Sequence, residues 1–163
     1  VYSSELYISE HELNTFMNEI FNAFQQYANI KHINFTYESN FRYMNVWFDK
    51  EKMESIFKNI ISNALKYTPE NGKVSISVSD TNDSWKVIIK DTGIGIPQEH
   101  QQRVFERFYR VDKSHSKKVG GTGLGLAIVK HIVAKHHNAH IELESELGKG
   151  TTIRVVFADN MTV

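Results

Sequence analysis

Two stretches of alternating apolar residues, Lys73–Ser79 and Trp85–Lys90, stand a short link apart, and that link constrains the fold more than any other feature of the chain. Val74, Ile76 and Val78 recur at the period of two that marks a half-buried strand. Parallel neighbours need a crossover of roughly a dozen residues or more, so strands joined this closely pair antiparallel. His140–Ser145 and Thr151–Ala158 repeat the situation across Gly148-Lys149-Gly150. A doubly wound sheet, in which every strand is followed by a helix, is excluded.

Helical spacing fills the intervals. Leu13, Phe16, Met17, Ile20, Phe21 and Phe24 predict a first helix over Ser9–Ala28, with Ser9 as cap and Glu12 completing a capping box. Ile33, Phe35 and Tyr37, then Val46 and Phe48, alternate like strands. Asp49 is placed to cap a second helix running to about Tyr67, stopped by Thr68-Pro69. Asn71-Gly72 turns the chain into the strand pair. Asp91–Gly121 reads as loop with a short helical piece at Gln98–Phe108, and a third helix runs from near Gly123 to His137. The order predicts an α+β, two-layer α/β sandwich: a mixed, mostly antiparallel sheet of about five strands, covered on one face by three helices.

The 163 residues suit one domain, expected at 1–158 with a short tail at 159–163. Nineteen basic and nineteen acidic residues cancel, which disfavours a nucleic-acid or anionic-membrane surface. Without cysteine there is no disulfide, thiolate metal site or cysteine nucleophile, in keeping with a reducing compartment. No apolar run is long enough to cross a bilayer and no signal peptide is evident. Because it begins at Val1, the chain is expected to be a piece of a longer protein attached to a membrane elsewhere, and itself cytoplasmic and monomeric.

On the second helix, Met53, Ile56, Phe57, Ile60, Ile61, Ala64 and Leu65 share a core face, and Asn59, Asn63 and Lys66 fall on a strip beside it. Asparagine is a poor helix former, so the pair does nothing for the helix. An amide oxygen at the rim of the core suits a hard cation such as magnesium, and Lys66 can neutralise phosphate. The plain alternative is a polar helix boundary.

Three loops carry glycine. Asp91-Thr92-Gly93-Ile94-Gly95-Ile96-Pro97 follows a buried-looking strand. Its carboxylate can accept from an exocyclic amine such as adenine's, while its glycines allow close approach or positive φ. An acidic turn capping the next helix would look the same. Gly120-Gly121-Thr122-Gly123-Leu124-Gly125-Leu126 opens the third helix, where free amides and the dipole favour phosphate; a hinge is the alternative. It is neither a Walker loop nor a dinucleotide fingerprint, lacking the Gly-Lys-Ser/Thr and the preceding strand. Gly148-Lys149-Gly150-Thr151-Thr152 alone reads as a hairpin turn.

Taken in order, these segments resemble the catalytic and ATP-binding domain of the sensor histidine kinases. Asn59–Thr68 resembles the N box, and Asp91–Pro97 the first glycine box. Phe105–Asp112 is similar to the phenylalanine box, with Gly121–Leu126 and Gly148–Thr152 similar to the second and third glycine boxes. The resemblance implies the ATP-binding sandwich shared with gyrase, the ninety-kilodalton heat-shock chaperones and mismatch-repair ATPases. It implies that Asn63 binds Mg2+ and Asn59 orders water or phosphate. Lys66 approaches the phosphates, Tyr67 packs on the nucleotide, and Asp91 reads the adenine amine. Gly93, Gly95 and Ile96 wall the pocket, and Tyr109 and Arg110 sit at the lid and phosphates. Gly121, Thr122, Gly123, Leu124, Gly125 and Leu126 wrap the phosphates, and Thr151 or Thr152 supports the adenine through water. Gln98–Gly120, with Lys113, Ser114, His115, Ser116, Lys117 and Lys118, is expected to form a mobile ATP lid. Where family members often have His-Gly-Gly, this chain has His137-Asn138-Ala139, a departure that affects the shape of that turn.

The family's phosphoacceptor, a histidine with an acidic neighbour and a proline five positions on, is missing. The only prolines are Pro69 and Pro97, and Ala64 and Thr92 stand five residues before them. His11-Glu12 starts such a box, but Phe16 replaces the proline, so His11 reads as first-turn helix surface. The expected activity is transfer of the γ-phosphoryl of Mg-ATP to a histidine on a separate helical dimerisation and phosphoacceptor domain, with a response regulator receiver served indirectly. Alternatives are a gyrase- or chaperone-type ATPase clamp and a non-catalytic nucleotide-binding module.

Overall fold

A computed structural model of the chain describes residues 5–81, 83–101, 103–105, 125–135 and 139–158. Among the described residues seven strands and three helices follow in the order β1 (Ile8–Glu12), α1 (Leu13–Lys31), β2 (Asn34–Ser39), β3 (Asn45–Asp49), α2 (Lys50–Tyr67), β4 (Lys73–Asp80), β5 (Ser84–Asp91), α3 (Gly125–Lys135), β6 (Ala139–Glu146) and β7 (Gly150–Ala158). Among the described residues a 3₁₀ turn, Gln98–His100, follows β5. Five strands form the main sheet in the order β2-β4-β5-β7-β6, and β1 and β3 make a separate antiparallel pair. Within the main sheet β2 runs parallel to β4 and every other pair is antiparallel, as the short links require for β4–β5 and β6–β7.

The beginning of the chain differs from expectation. Ser9 does not cap a helix and His11 is not helix surface: residues 8–12 are extended and pair with 45–49. Glu12 itself is the cap, its carboxylate accepting from the Asn14 and Thr15 amides at 3.1 and 2.7 Å. It also accepts from Met44 N at 2.9 Å, which pins the loop before β3. Paired to β3, His11 stacks on Phe48 with ring centroids 4.7 Å apart, and burial, then the nearby Lys50 charge, lower its pKa. At the far end α1 runs to Lys31 and closes on His32, whose φ of 59° is left-handed.

The second helix forms as its sequence predicts. Asp49 Oδ1 accepts from Lys52 N at 3.1 Å, and all seven residues of the apolar face are buried. Its last carbonyls have partners that no local pattern reveals. Lys31 Nζ, from α1, donates to the carbonyls of Leu65 and Lys66 at 2.7 and 2.8 Å. An ammonium there satisfies orphan acceptors and opposes the negative end of the helix dipole.

The core lies between the helices and one face of the sheet. Val74, Ile76 and Val78 of β4, Trp85, Val87 and Ile89 of β5, and Ile153, Val155 and Phe157 of β7 are buried in register. Trp85 and Phe157 stack across the β5–β7 pair at 4.2 Å, and Phe48 meets both Trp85 and Phe16. Such ring pairs contribute about 0.5–1.5 kcal/mol each beyond their buried area.

Glu12→Ala removes a helix cap and the anchor of the loop before β3 at once, and is expected to lower the unfolding free energy by about 1–2 kcal/mol in urea at neutral pH. Burial alone would raise the Glu12 carboxyl, but the bonds from Met44, Thr15 and Asn14 outweigh it and hold its pKa low. A depressed folded pKa stabilises above the unfolded value and the effect is lost as the pH falls through the folded one. The difference between variant and parent should therefore shrink below the ordinary carboxylate range.

Candidate nucleotide site

Strand register builds the site. Trp85, Val87 and Ile89 point inward from β5, and the next inward position is Asp91, buried at 9% exposure. The inward row of β7 ends in the same way at Thr151, directly opposite Asp91. The inward row of β6 passes through Ala139, Ile141 and Leu143 to Ser145, directly opposite Thr151. Three apolar rows thus end level with one another in a carboxylate and two hydroxyls. Thr152 alternates to the other face, beside the exposed Lys90, so of the two candidate threonines Thr151 stands next to the carboxylate.

Asp91 is held through one oxygen. Gly93 N and Thr151 N both donate to Oδ1, at 2.8 and 3.1 Å, leaving Oδ2 with no partner among the described residues. Burial raises the Asp91 pKa, and the two amide bonds oppose that without cancelling it. A buried acceptor with one free oxygen suits a neutral donor group such as an exocyclic amine.

The glycines here are fixed by backbone contacts. A Cβ on Gly93 would lie 2.5 Å from the carbonyl oxygen of Tyr67. Gly95 has φ +73°, and its Cβ would meet the Glu146 carbonyl oxygen at 2.1 Å; Gly150 has φ +126° and would strike the Asp91 carbonyl oxygen. These approaches let the loops interlock. Ile94 N donates to Tyr67 O at the end of α2, and Gly148 N donates to Ile94 O at 2.7 Å. Thr92 Oγ1 accepts from Lys73 N, while Thr92 N donates to Lys73 O. The α2 terminus, the loop after β5 and the β6–β7 hairpin therefore form one hydrogen-bonded unit around Asp91.

The α2 residues lie at its margin. Asn63, Lys66 and Tyr67 are half-buried. Asn59 Nδ2 donates to Ser55 O one turn back at 2.7 Å, while the Asn63 side chain makes no hydrogen bond to any described residue. Ile96 is half-buried and its N–H donates to Ser145 Oγ. Gly125 opens α3 and Leu126 packs against the core. Tyr109, Arg110, Gly121, Thr122, Gly123 and Leu124 lie outside the described residues. So do most of the phenylalanine box and of the stretch read as a lid, the His137-Asn138 turn, and the 159–163 tail. Among the described residues no group of three or more His, Cys, Asp or Glu side chains is arranged to hold a metal. No described helix is long and apolar enough to cross a membrane.

Residues 48–160 match the family described as Histidine kinase-, DNA gyrase B-, and HSP90-like ATPase. The chain belongs to this ATPase family. Its relatives by sequence include sensor histidine kinases. The chain is 45% identical over 140 residues to sensor histidine kinase WalK of Bacillus subtilis (strain 168), covering 85% of this chain and 23% of WalK. It is 35% identical over 143 residues to sensor histidine kinase RppB of Synechocystis, covering 88% of this chain and 31% of RppB. The chain thus spans less than a third of the length of either of these relatives. Among solved structures, the catalytic domain of histidine kinase ThkA superposes with TM-score 0.82 at 26% identity, covering 94% of this chain and 98% of that one. Full-length ShkA in complex with AMPPNP superposes with TM-score 0.81 at 25% identity, covering 94% of this chain and 31% of that one. The two-layer α/β sandwich expected from the sequence is that of histidine kinase catalytic domains.

Four residues that shape the candidate site were given no role from the sequence: Lys31, Thr92, Ser145 and Gln101, whose Nε2 donates to Ser145 O. Ser145 had a signal, since counting by twos from Ala139 ends on it beside a glycine turn. Lys31 had none, because its partners lie 34 and 35 residues away.

A raised folded pKa on an acid disfavours folding above that value, and the penalty vanishes below the unfolded pKa. Asp91→Asn keeps an acceptor for both amides and removes the buried charge. It is expected to raise the thermal midpoint of the nucleotide-free chain at pH 7, with the gain fading as the pH falls into the ordinary aspartate range in a series of melts.

Proposed function

We propose that this domain binds Mg-ATP and presents the γ-phosphoryl group to a histidine on a separate helical dimerisation and phosphoacceptor domain of the same parent protein. A response regulator receiver would then take the phosphoryl group from that histidine. The reading places the unit at residues 1–158, with 159–163 as a tail, in the cytosolic part of a membrane-anchored sensor kinase.

The observation that carries it is the buried Asp91 carboxylate with one free oxygen, set where α2, the loop after β5 and the β6–β7 hairpin lock together. A free acceptor at the end of an apolar strand face fits the amine edge of adenine. Tyr67, at the adjoining end of α2, offers a ring for the nucleotide. On the neighbouring strip of α2, Asn63 offers an amide oxygen that no described residue engages. That donor suits magnesium, which takes its remaining ligands from phosphate and water. Magnesium would supply charge neutralisation at the phosphates. Lys66 is one turn on from Asn63, and Asn59, its amide N–H held by Ser55, keeps an oxygen to order water. Arg110, Tyr109 and the amides of Gly121–Leu126 are assigned to the phosphates by resemblance. Transfer breaks the bond from the γ-phosphorus to the bridging oxygen and forms a phosphorus–nitrogen bond to the histidine, releasing ADP. The histidine proton passes to a base on its own domain. This domain's contribution is positioning and charge stabilisation.

Mixed with a separately produced cognate phosphoacceptor domain and labelled Mg-ATP, the chain should place acid-labile label on that domain; nucleotide binding with no transfer would leave a nucleotide-sensing module. Asn63→Ala should lower transfer by on the order of a hundredfold. Because Asn63 is only half-buried, its unfolding free energy should stay within about 1 kcal/mol of the parent. Unchanged transfer would remove Asn63 from the metal role.

A further inference from the structure

The polar end of the sheet contains a hydroxyl whose bonding capacity is filled. Ser145 Oγ is within hydrogen-bond distance of three groups: Ile96 N at 2.8 Å, Gly150 O at 3.0 Å and Thr151 Oγ1 at 2.8 Å. A serine hydroxyl has one proton to give and two lone pairs to accept with. The Ile96 amide can only donate and the Gly150 carbonyl can only accept. One assignment uses all three contacts: Ser145 accepts from Ile96 N, donates to Gly150 O, and accepts the proton of Thr151. The Thr151 hydroxyl is thereby committed, and its oxygen has only lone pairs left to offer.

Thr151 is the cross-strand neighbour of Asp91 and donates its backbone N–H to Asp91 Oδ1 at 3.1 Å. Two oxygens side by side, Asp91 Oδ2 and Thr151 Oγ1, then present acceptors and no donor. Gln101 holds the serine from behind, its Nε2 donating to Ser145 O at 2.8 Å and to Ile96 O at 2.9 Å. Removing the serine hydroxyl unbalances the others, since the Ile96 N–H and the Thr151 hydroxyl then lose the partner they have here.

We propose that Ser145 is a specificity-determining positioning residue: by taking the Thr151 hydroxyl proton it keeps the corner beside Asp91 acceptor-only, so that it takes a purine bearing an exocyclic amine and rejects one bearing a carbonyl at that position. Ser145 acts through Thr151 and does not itself touch the base. The inference rests on the reading that Asp91 meets the base. In Ser145→Ala the Thr151 hydroxyl loses its acceptor and can turn to donate to a carbonyl edge. Discrimination against guanine should fall more than affinity for adenine does.

The test is calorimetric binding of ATP and GTP, with magnesium, to the full chain. Ser145→Ala should lower the ratio of GTP to ATP dissociation constants about fivefold, the effect of roughly one hydrogen bond. Ser145→Thr, which keeps the hydroxyl, should restore most of it. Thr151→Val removes the controlled hydroxyl, so adding Ser145→Ala to it should change the ratio no further. A merely structural serine would lower the melting temperature and leave the ratio alone, and that result overturns the proposal. So does an additive effect of the two substitutions. Should Ser145→Ala fail to fold, Thr151→Val decides alone: a ratio equal to the parent's overturns the proposal. Asp91→Asn separates the two levels, because a ratio unmoved by that substitution removes the base reading itself, whereas a ratio moved by it but not by Ser145→Ala removes only the role of the serine.

Discussion

A carboxylate at the end of an apolar strand row sets the terms for everything around it. Asp91 continues the inward series of Trp85, Val87 and Ile89, so strand periodicity alone carries a charge into the space between sheet and helices. An ionised group there is costly unless it is bonded, and its pKa is raised accordingly. The chain answers with two backbone amides on one oxygen, which requires the loop after β5 and the start of β7 to come close. That closeness leaves Gly150 no room for a side chain, while Gly93 and Gly95 are crowded by the carbonyl oxygens of Tyr67 at the end of α2 and Glu146 at the end of β6. The glycines of the first and third boxes are in this sense the steric consequence of packing backbone closely at this end of the sheet.

Helix α2 is fastened to the same unit at its C-terminal end. Its last carbonyls are taken by Lys31 from α1 and by the amide of Ile94 from the loop. Helix ends left bare in a half-buried place lose stability, so these bonds serve the fold first. They also fix how far Asn63, Lys66 and Tyr67 stand from Asp91, which joins the stability of the domain to the geometry of its site. At the other end of the helix Asp49 serves twice, capping through Oδ1 and accepting from Tyr7 N through Oδ2 at 2.8 Å. The segment leading into β1 is thus bound to the start of the helix whose far end borders the site.

The edge strands carry a lighter burden. On β6 every second residue is exposed, and the inward residues are only partly buried. Ser145 closes that row, and because it is near the edge its hydroxyl can reach both the β7 start and the loop after β5. A central strand would have been flanked on both sides and could not have bridged to a loop in this way.

What could be read from the sequence was whatever depends on near neighbours: the seven-residue apolar face of α2, the Asp49 cap, the alternation of β4, β5 and β7, and the antiparallel pairing that short links force. The glycine and asparagine boxes were legible because their spacing is local and their order distinctive. The beginning of the chain was misread for a related reason. Residues 8–12 have helix-compatible composition, and only pairing to β3, some forty residues on, draws them into a strand and makes Glu12 the cap in place of Ser9. The tertiary structure alone could decide that Thr151 and not Thr152 faces Asp91, that Ser145 meets Ile96 and Thr151, and that a lysine of α1 closes α2. Each is a meeting of groups far apart in sequence. A chain records what each residue can donate, accept or bury, and leaves to the folded register which partner it meets.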